Sequence, residues 1–135
     1  MQDIVKRLIA EERRVAHDSD HGSRAGFRVC EKLRPPLCAV AGVSGFRSLL
    51  SRARVLAQGE APLLEGMLIN PDGSFEFSPA MEERLATKEV ANAGAALAGR
   101  LLGLLVTFIG EGLTLRLVHD IWPMASVEDS KIEAK

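Results

Sequence analysis

The sequence has no tyrosine, one tryptophan and two cysteines among its 135 residues, and aromatic residues make up 4% of it. A core built from large rings is therefore excluded, and the apolar 47% of the chain must pack mainly as Leu, Ala and Val. Because such a core suits helices packed on helices, we predict an all-α domain. The cysteines, Cys30 and Cys38, are too few for a secreted disulfide framework and lack the spacing of a zinc site.

Motifs of the common enzyme classes are also missing. The sequence has no GxSxG elbow and no phosphate-binding loop ending in Gly-Lys-Ser/Thr, and no calcium loop surrounds Asp72. We therefore expect a non-enzymatic protein and predict no cofactor. The formal net charge of −1 argues against a nucleic-acid partner, because such proteins usually carry a net basic domain.

The N-terminus reads MQDIVKRLIAEERR, which is amphipathic and charged. A signal peptide has a basic start followed by an uncharged apolar run, so this pattern indicates none. Together with the scarcity of cysteine, it leads us to expect a cytoplasmic protein.

The sequence does contain one long apolar stretch, Met81 to Asp120, which we predict to be a single helix at the centre of the fold. Its uncharged segment, LLGLLVTFIG at residues 101–110, places apolar side chains on two opposite faces, and this is typical of a buried helix. We expect the following of its residues to be core: Leu101, Leu105, Phe108 and Ile109.

A membrane span is the competing interpretation of this stretch. A span requires about 20 consecutive apolar residues. Arg100 interrupts the run and Glu111 closes it, so we predict that the helix does not cross a membrane.

Small residues form one line along the predicted long helix, at Ala95, Gly99, Gly103 and Thr107. A stripe with this four-residue repeat lets another helix backbone approach closely. Two interpretations stay open, a close helix crossing inside one domain or the seam of a homodimer. In an antiparallel dimer, Arg100 and Glu111 would form reciprocal ion pairs.

Hydrophobic periodicity predicts further helices at residues 2–17, 24–33, 36–43 and 45–58. Pro35 and Pro36 are expected to end the second of them, and Glu12 is the one polar interruption on the apolar face of the first. The string MLINPDGSFEF predicts a small surface β-hairpin at residues 67–77, because Asn-Pro-Asp-Gly is a strong turn signal.

These elements predict one helical domain at residues 1–123, a compact bundle of four to five helices around the long C-terminal helix. The polar tail, residues 124–135, is expected to be disordered.

Charge is unevenly distributed along the chain, since residues 23–59 are basic and residues 60–89 are acidic. Either the basic segment binds an anion, or the two segments neutralise each other. Arg47 and Arg54 share one face of the predicted helix 45–58, whose N-terminus offers free backbone N–H groups. With Arg100 and Glu111, these arginines are the candidate anion- or ligand-binding residues.

His17 and His21 are four residues apart with Asp18 between them. On a continuous helix, two imidazoles at this spacing and one carboxylate could hold a metal ion. Ser19 and Gly22 indicate that the helix ends here, so three solvated loop residues are the alternative interpretation.

Three strings occur in the order GFRSLLSRARVLA, PDGSFE and LLGLLVTFIGEGLTLRLVHDIWP. They resemble a group of small uncharacterised bacterial proteins, over the segment from Cys30 to Pro123. The resemblance implies no activity, cofactor or site residue.

The functional prediction therefore comes from architecture. It is a cytoplasmic helical module that acts through protein–protein contact, as a homodimer or with another protein. The alternative is a protein that binds a small ligand, an anion or a metal in a pocket between the long helix and helix 45–58.

Overall fold

The computed structural model describes residues 2–16, 24–84 and 87–123. Over these residues it confirms an all-α bundle with one small antiparallel hairpin. The elements are α1 (Gln2–Ala16), α2 (Ala25–Gln58), a 3₁₀ helix (Pro62–Gly66), β1 (Leu68–Ile69), β2 (Phe75–Glu76), α3 (Pro79–Glu83), α4 (Lys88–Ile109) and α5 (Glu111–Ile121). The proposed metal ligands His17, Asp18 and His21 and the tail 124–135 lie outside the described residues.

Helix α2 runs through both prolines, so the prediction that they end a helix is wrong. Pro35 is exposed and Pro36 is half-buried, which places this side of the helix near solvent. Water can therefore reach carbonyl groups that lose an N–H partner to the prolines. The helix is broken instead at Gly42, where φ is 80° and ψ is 163°, a conformation that glycine adopts readily.

The two halves of α2 fold back on each other at this break. Gly26, near the start of α2, lies against Gly94 of α4, and Glu60, just beyond the end of α2, pairs with Arg100 of α4. Gly94 and Arg100 are about 9 Å apart along α4 at 1.5 Å per residue. A straight helix of the 34 residues of α2 would be about 51 Å long and could not make both contacts.

The predicted long helix, residues 81–120, is three helices rather than one. α3 ends at Glu83, and Thr87 then caps the start of α4 by accepting a hydrogen bond from the backbone N–H of Val90. The chain bends again at Gly110, where φ is 91° and ψ is 157°. α5 packs back against α4 beyond this bend, so both helices carry an apolar face. The apolar pattern of the sequence therefore continues across the bend.

The hydrophobic core forms around α4 and confirms only part of the predicted core list. Leu101 and Leu105 are fully buried, whereas Ile109 is half-buried and Phe108 is 56% exposed. The other large side chains that are buried throughout are Leu8, Phe27, Leu33, Leu37, Phe46, Leu50, Leu64, Met81, Leu97 and Leu102.

One close helix crossing does lie inside the chain, between α2 and α4. A Cβ added to Gly26 would lie 2.2 Å from the carbonyl carbon of Gly94, a distance that no side chain allows. The crossing therefore uses the backbone of Gly94 and Ala95, whereas Gly99 and Gly103 of the stripe lie outside it.

The predicted surface β-hairpin is confirmed, and aromatic side chains anchor it to the helices. Its strands pair Leu68 with Glu76 and Ile69 with Phe75. The rings of Phe75 and Phe77 pack against Phe27 of α2, at centroid distances of 5.9 and 4.8 Å. The hairpin thus lies on the surface of the helical core and packs against it through these rings.

Candidate functional site

The four residues of the predicted dimer seam belong to two different surfaces. Ala95 and Gly99 line a cleft of about 490 Å³ between α4 and α1. Gly103 and Thr107 lie further along α4, where Thr107 is exposed and a Cβ added to Gly103 would have no atom within 4 Å. The cleft and the surface around Gly103 are therefore separate candidate sites.

The cleft has an apolar floor and a polar rim. A Cβ on Gly99 would lie 3.8 Å from Cγ2 of Val5, so α1 and α4 approach closely at its base. The floor consists of Val5, Ile9, Ala95, Ala96 and Gly99. The rim consists of Lys6, Glu60, Asn92 and Arg100.

Arg100 is held within the chain by Glu60. Its Nε donates to Oε2 of Glu60 at 2.7 Å, and Nη2 donates to the same oxygen. Glu111 is exposed at the first position of α5, beyond the bend at Gly110, so the continuous helix face that was predicted to carry both Arg100 and Glu111 is interrupted.

The two arginines predicted as an anion site on α2 are not part of the cleft. Arg54 donates through Nη1 to the backbone oxygen of Met67 at 3.0 Å, and so fastens the end of the 3₁₀ segment to α2. Arg47 is exposed on the same half of α2. The cleft beside α4 thus lies against α1, whereas the sequence had predicted a pocket against helix 45–58.

Basic and acidic segments neutralise each other at several points. Nη2 of Arg24 lies 3.9 Å from Oε1 of Glu82, and Nη1 of Arg34 lies 3.9 Å from Oδ2 of Asp72. These pairs join the basic segment to the acidic one, which favours mutual neutralisation over a shared anion site.

A second exposed surface lies at the C-terminal end of α4, and we call Gly103, Leu104, Thr107 and Phe108 the open face. Leu113, just beyond the bend, is also 44% exposed. By length and composition alone, α4 is the one helix in the described parts of the chain that could cross a membrane, and 39% of its most apolar 18-residue window is buried in the protein. Much of the most apolar helix is therefore left uncovered.

A buried carboxylate that the sequence indicated only weakly lies between α1, α2 and the end of α5. Glu12 is 2% exposed, and its carboxylate accepts a hydrogen bond from Nε1 of Trp122 at 2.8 Å. Nζ of Lys32 lies 2.6 Å from Oε2 and Nε of Arg28 lies 3.8 Å from Oε1. The polar interruption on the apolar face of α1 was the available signal, but its partners are far away in sequence.

Reactive and metal-binding groups offer no stronger site within residues 2–16, 24–84 and 87–123. No three His, Cys, Asp or Glu side chains in these ranges are grouped to hold a metal ion. Both cysteines are free thiols. Burial raises the pKa of the Cys30 thiol well above its usual range, which makes Cys30 a poor nucleophile.

Comparison of the chain with protein-family models, with curated proteins and with solved structures found no match.

Proposed function

We propose that this protein is a cytoplasmic helical interaction module that self-associates through the open face of α4. The observation that carries the proposal is Phe108, which is 56% exposed on the most apolar helix and lies five residues beyond the open space at Gly103. Exposed apolar surface next to small residues is typical of helix–helix interfaces. The two free cysteines support a reducing compartment.

The open face is complementary to itself. An antiparallel two-fold axis between Leu105 and Val106 would oppose Gly103 to Thr107 of the second copy and Leu104 to Phe108 of the second copy. Small residues then meet small residues on one side of the seam, and apolar side chains meet on the other. A two-fold interface requires this kind of self-complementary surface.

The lack of charge on the open face also favours a second copy of this chain as its partner. The open face carries no ionisable side chain, and Arg100, three residues before Gly103 on α4, is already paired with Glu60. Association with a second copy of the same uncharged face therefore buries no unpaired charge. The burial of an unpaired charge would weaken such an interface. The reciprocal Arg100–Glu111 pairs are not required.

The test is analytical ultracentrifugation of the wild type, Phe108→Asp and the matched control Val55→Asp. Val55 is 60% exposed on α2, outside the open face, so the control adds the same charge to another exposed apolar residue. We expect a dimer for the wild type and the control, and a monomer with unchanged helix content for Phe108→Asp. A wild type that stays monomeric at high micromolar concentration would refute the proposal.

Gly103→Leu tests the small side of the seam. The added side chain meets no atom of its own chain within 4 Å of Cβ, so it should leave the monomer folded while it blocks the approach of a second backbone. Flotation with lipid vesicles tests a membrane surface as the alternative partner of the open face. Vesicle binding that requires Phe108, without dimerisation, would assign the open face to a membrane surface instead.

A further inference from the structure

The cleft between α1 and α4 is independent of the open face, and its volume and lining are those of a small-molecule site. At about 490 Å³ it falls within the range of roughly 300 to 1,000 Å³ that is common for ligand pockets. Its floor is made only of Val, Ile, Ala and Gly, so it can bury an apolar body without leaving a polar group unpaired.

The rim carries one uncompensated positive charge. Glu60 and Arg100 neutralise each other through two hydrogen bonds to one carboxylate oxygen. Lys6 is the remaining ionisable residue of the lining, and neither it nor the amide of Asn92 has a hydrogen-bond or ion-pair partner among the described residues. An ammonium group and an amide donor thus lie at the edge of an apolar cleft.

We infer that this cleft binds a small organic anion, with an apolar body on the floor and a single carboxylate or sulfonate group at Lys6 and Asn92. A cationic ligand would face Lys6, and a sugar would place its hydroxyl groups against aliphatic side chains that cannot bond to them. An anion gains a charge-assisted hydrogen bond from the ammonium group and a second bond from the amide.

The experiment uses two fluorescent probes of similar shape. One is 8-anilinonaphthalene-1-sulfonate, which is anionic, and the other is N-phenyl-1-naphthylamine, which lacks the sulfonate. Both are titrated into full-length protein that carries Phe108→Asp, so that binding to the open face does not contribute and failure of self-association does not affect the result. We expect the anionic probe to bind more tightly than the neutral one.

Lys6→Gln removes the charge and keeps a side chain of similar length. It should weaken binding of the anionic probe by about three- to tenfold, as expected for one partly exposed charge-assisted bond, and leave the neutral probe unchanged. Lys88→Gln is the matched control, since Lys88 is exposed on α4 but does not line the cleft. Equal effects of the two substitutions on the anionic probe would overturn the inference.

Gly99→Leu fills the floor and should weaken binding of both probes, with circular dichroism as the check on folding. Ala96→Leu fills the same floor from the neighbouring position and replaces Gly99→Leu if that variant does not fold. Unchanged affinity for both probes in a folded floor variant, or no binding of the anionic probe to the protein that carries only Phe108→Asp, would also overturn the inference.

Discussion

Nε1 of Trp122 donates a hydrogen bond to Oε2 of Glu12 at 2.8 Å, across 110 positions of sequence. The bond joins the residue that follows α5 to the buried side of α1. Lys32 reaches the same carboxylate while its own side chain stays 45% exposed. The buried negative charge is therefore balanced by a cation that still contacts water, which lowers the cost of burying the pair.

Glu12→Ala should lower the free energy of unfolding by about 1 to 3 kcal/mol, because it leaves the buried indole N–H of Trp122 without its acceptor, whereas Lys32 can turn to water. Urea unfolding followed by circular dichroism measures the loss. The matched control is Glu11→Ala, whose partner Arg14 is 64% exposed, so that this ion pair should contribute less than about 1 kcal/mol. Similar losses for the two variants would show that the Glu12 cluster is not a stabilising element.

Gly110 and Gly103 should respond in opposite directions to alanine, although neither has an atom within 4 Å of an added Cβ. At Gly110 the backbone has φ 91° and ψ 157°, which only glycine adopts readily, so Gly110→Ala should cost about 1 to 3 kcal/mol. Gly103 is inside a helix, where alanine is preferred by roughly 1 kcal/mol. Thermal melts at low protein concentration compare the two monomers, and a stabilising Gly110→Ala would contradict the bend.

Leu105→Ala should cost about 2 to 5 kcal/mol, because Leu105 is fully buried and its truncation leaves a cavity in the core. Phe108→Ala, one turn away, should change the stability of the monomer by less than about 1 kcal/mol, because that ring is already exposed. Chemical denaturation at a concentration below that of self-association makes the comparison. A loss for Phe108→Ala as large as that for Leu105→Ala would place Phe108 in the core.

Cys38 should react with a thiol reagent such as 5,5′-dithiobis(2-nitrobenzoate) in the folded protein, whereas Cys30 should not. Burial raises the pKa of the Cys30 thiol, so its thiolate is scarce at neutral pH, and the fully buried sulfur is also out of reach. Cys38 is half-buried on the same helix. Cys38→Ser should abolish the rapid reaction and Cys30→Ser should preserve it. The reverse result would mean that Cys30 is the accessible thiol and Cys38 the buried one.

Local signals allowed the hairpin to be predicted from sequence. Asp72 accepts hydrogen bonds from the backbone N–H and the hydroxyl group of Ser74, and Gly73 takes the positive φ of 91° that the turn requires. All of these partners lie within the turn itself, so residue type is sufficient to indicate it.

Long-range packing explains the predictions that failed. Phe108 follows the same apolar pattern as Leu105, but whether another element covers a helix face depends on the path of the remaining chain. Gly103 and Gly110 are equally ambiguous, since a glycine inside a helix and a glycine at a bend look alike in sequence. The cleft was not predicted where it lies, because Lys6 and Asn92 line one cleft only when α1 packs on α4.

The contacts of α1 also determine when its packing against the other helices can be completed during synthesis. α1 precedes the other helices in the chain, and besides packing on α2 it lies against Gly99 in α4 and Trp122 beyond α5, which are synthesised later. The two halves of α2 are separated only by the break at Gly42 and can pair much earlier, since loop closure favours near neighbours. During translation α2 can therefore cover part of α1 early, whereas the side of α1 that packs on α4 stays uncovered until α4 has emerged, and this interval is when chaperones would engage the protein.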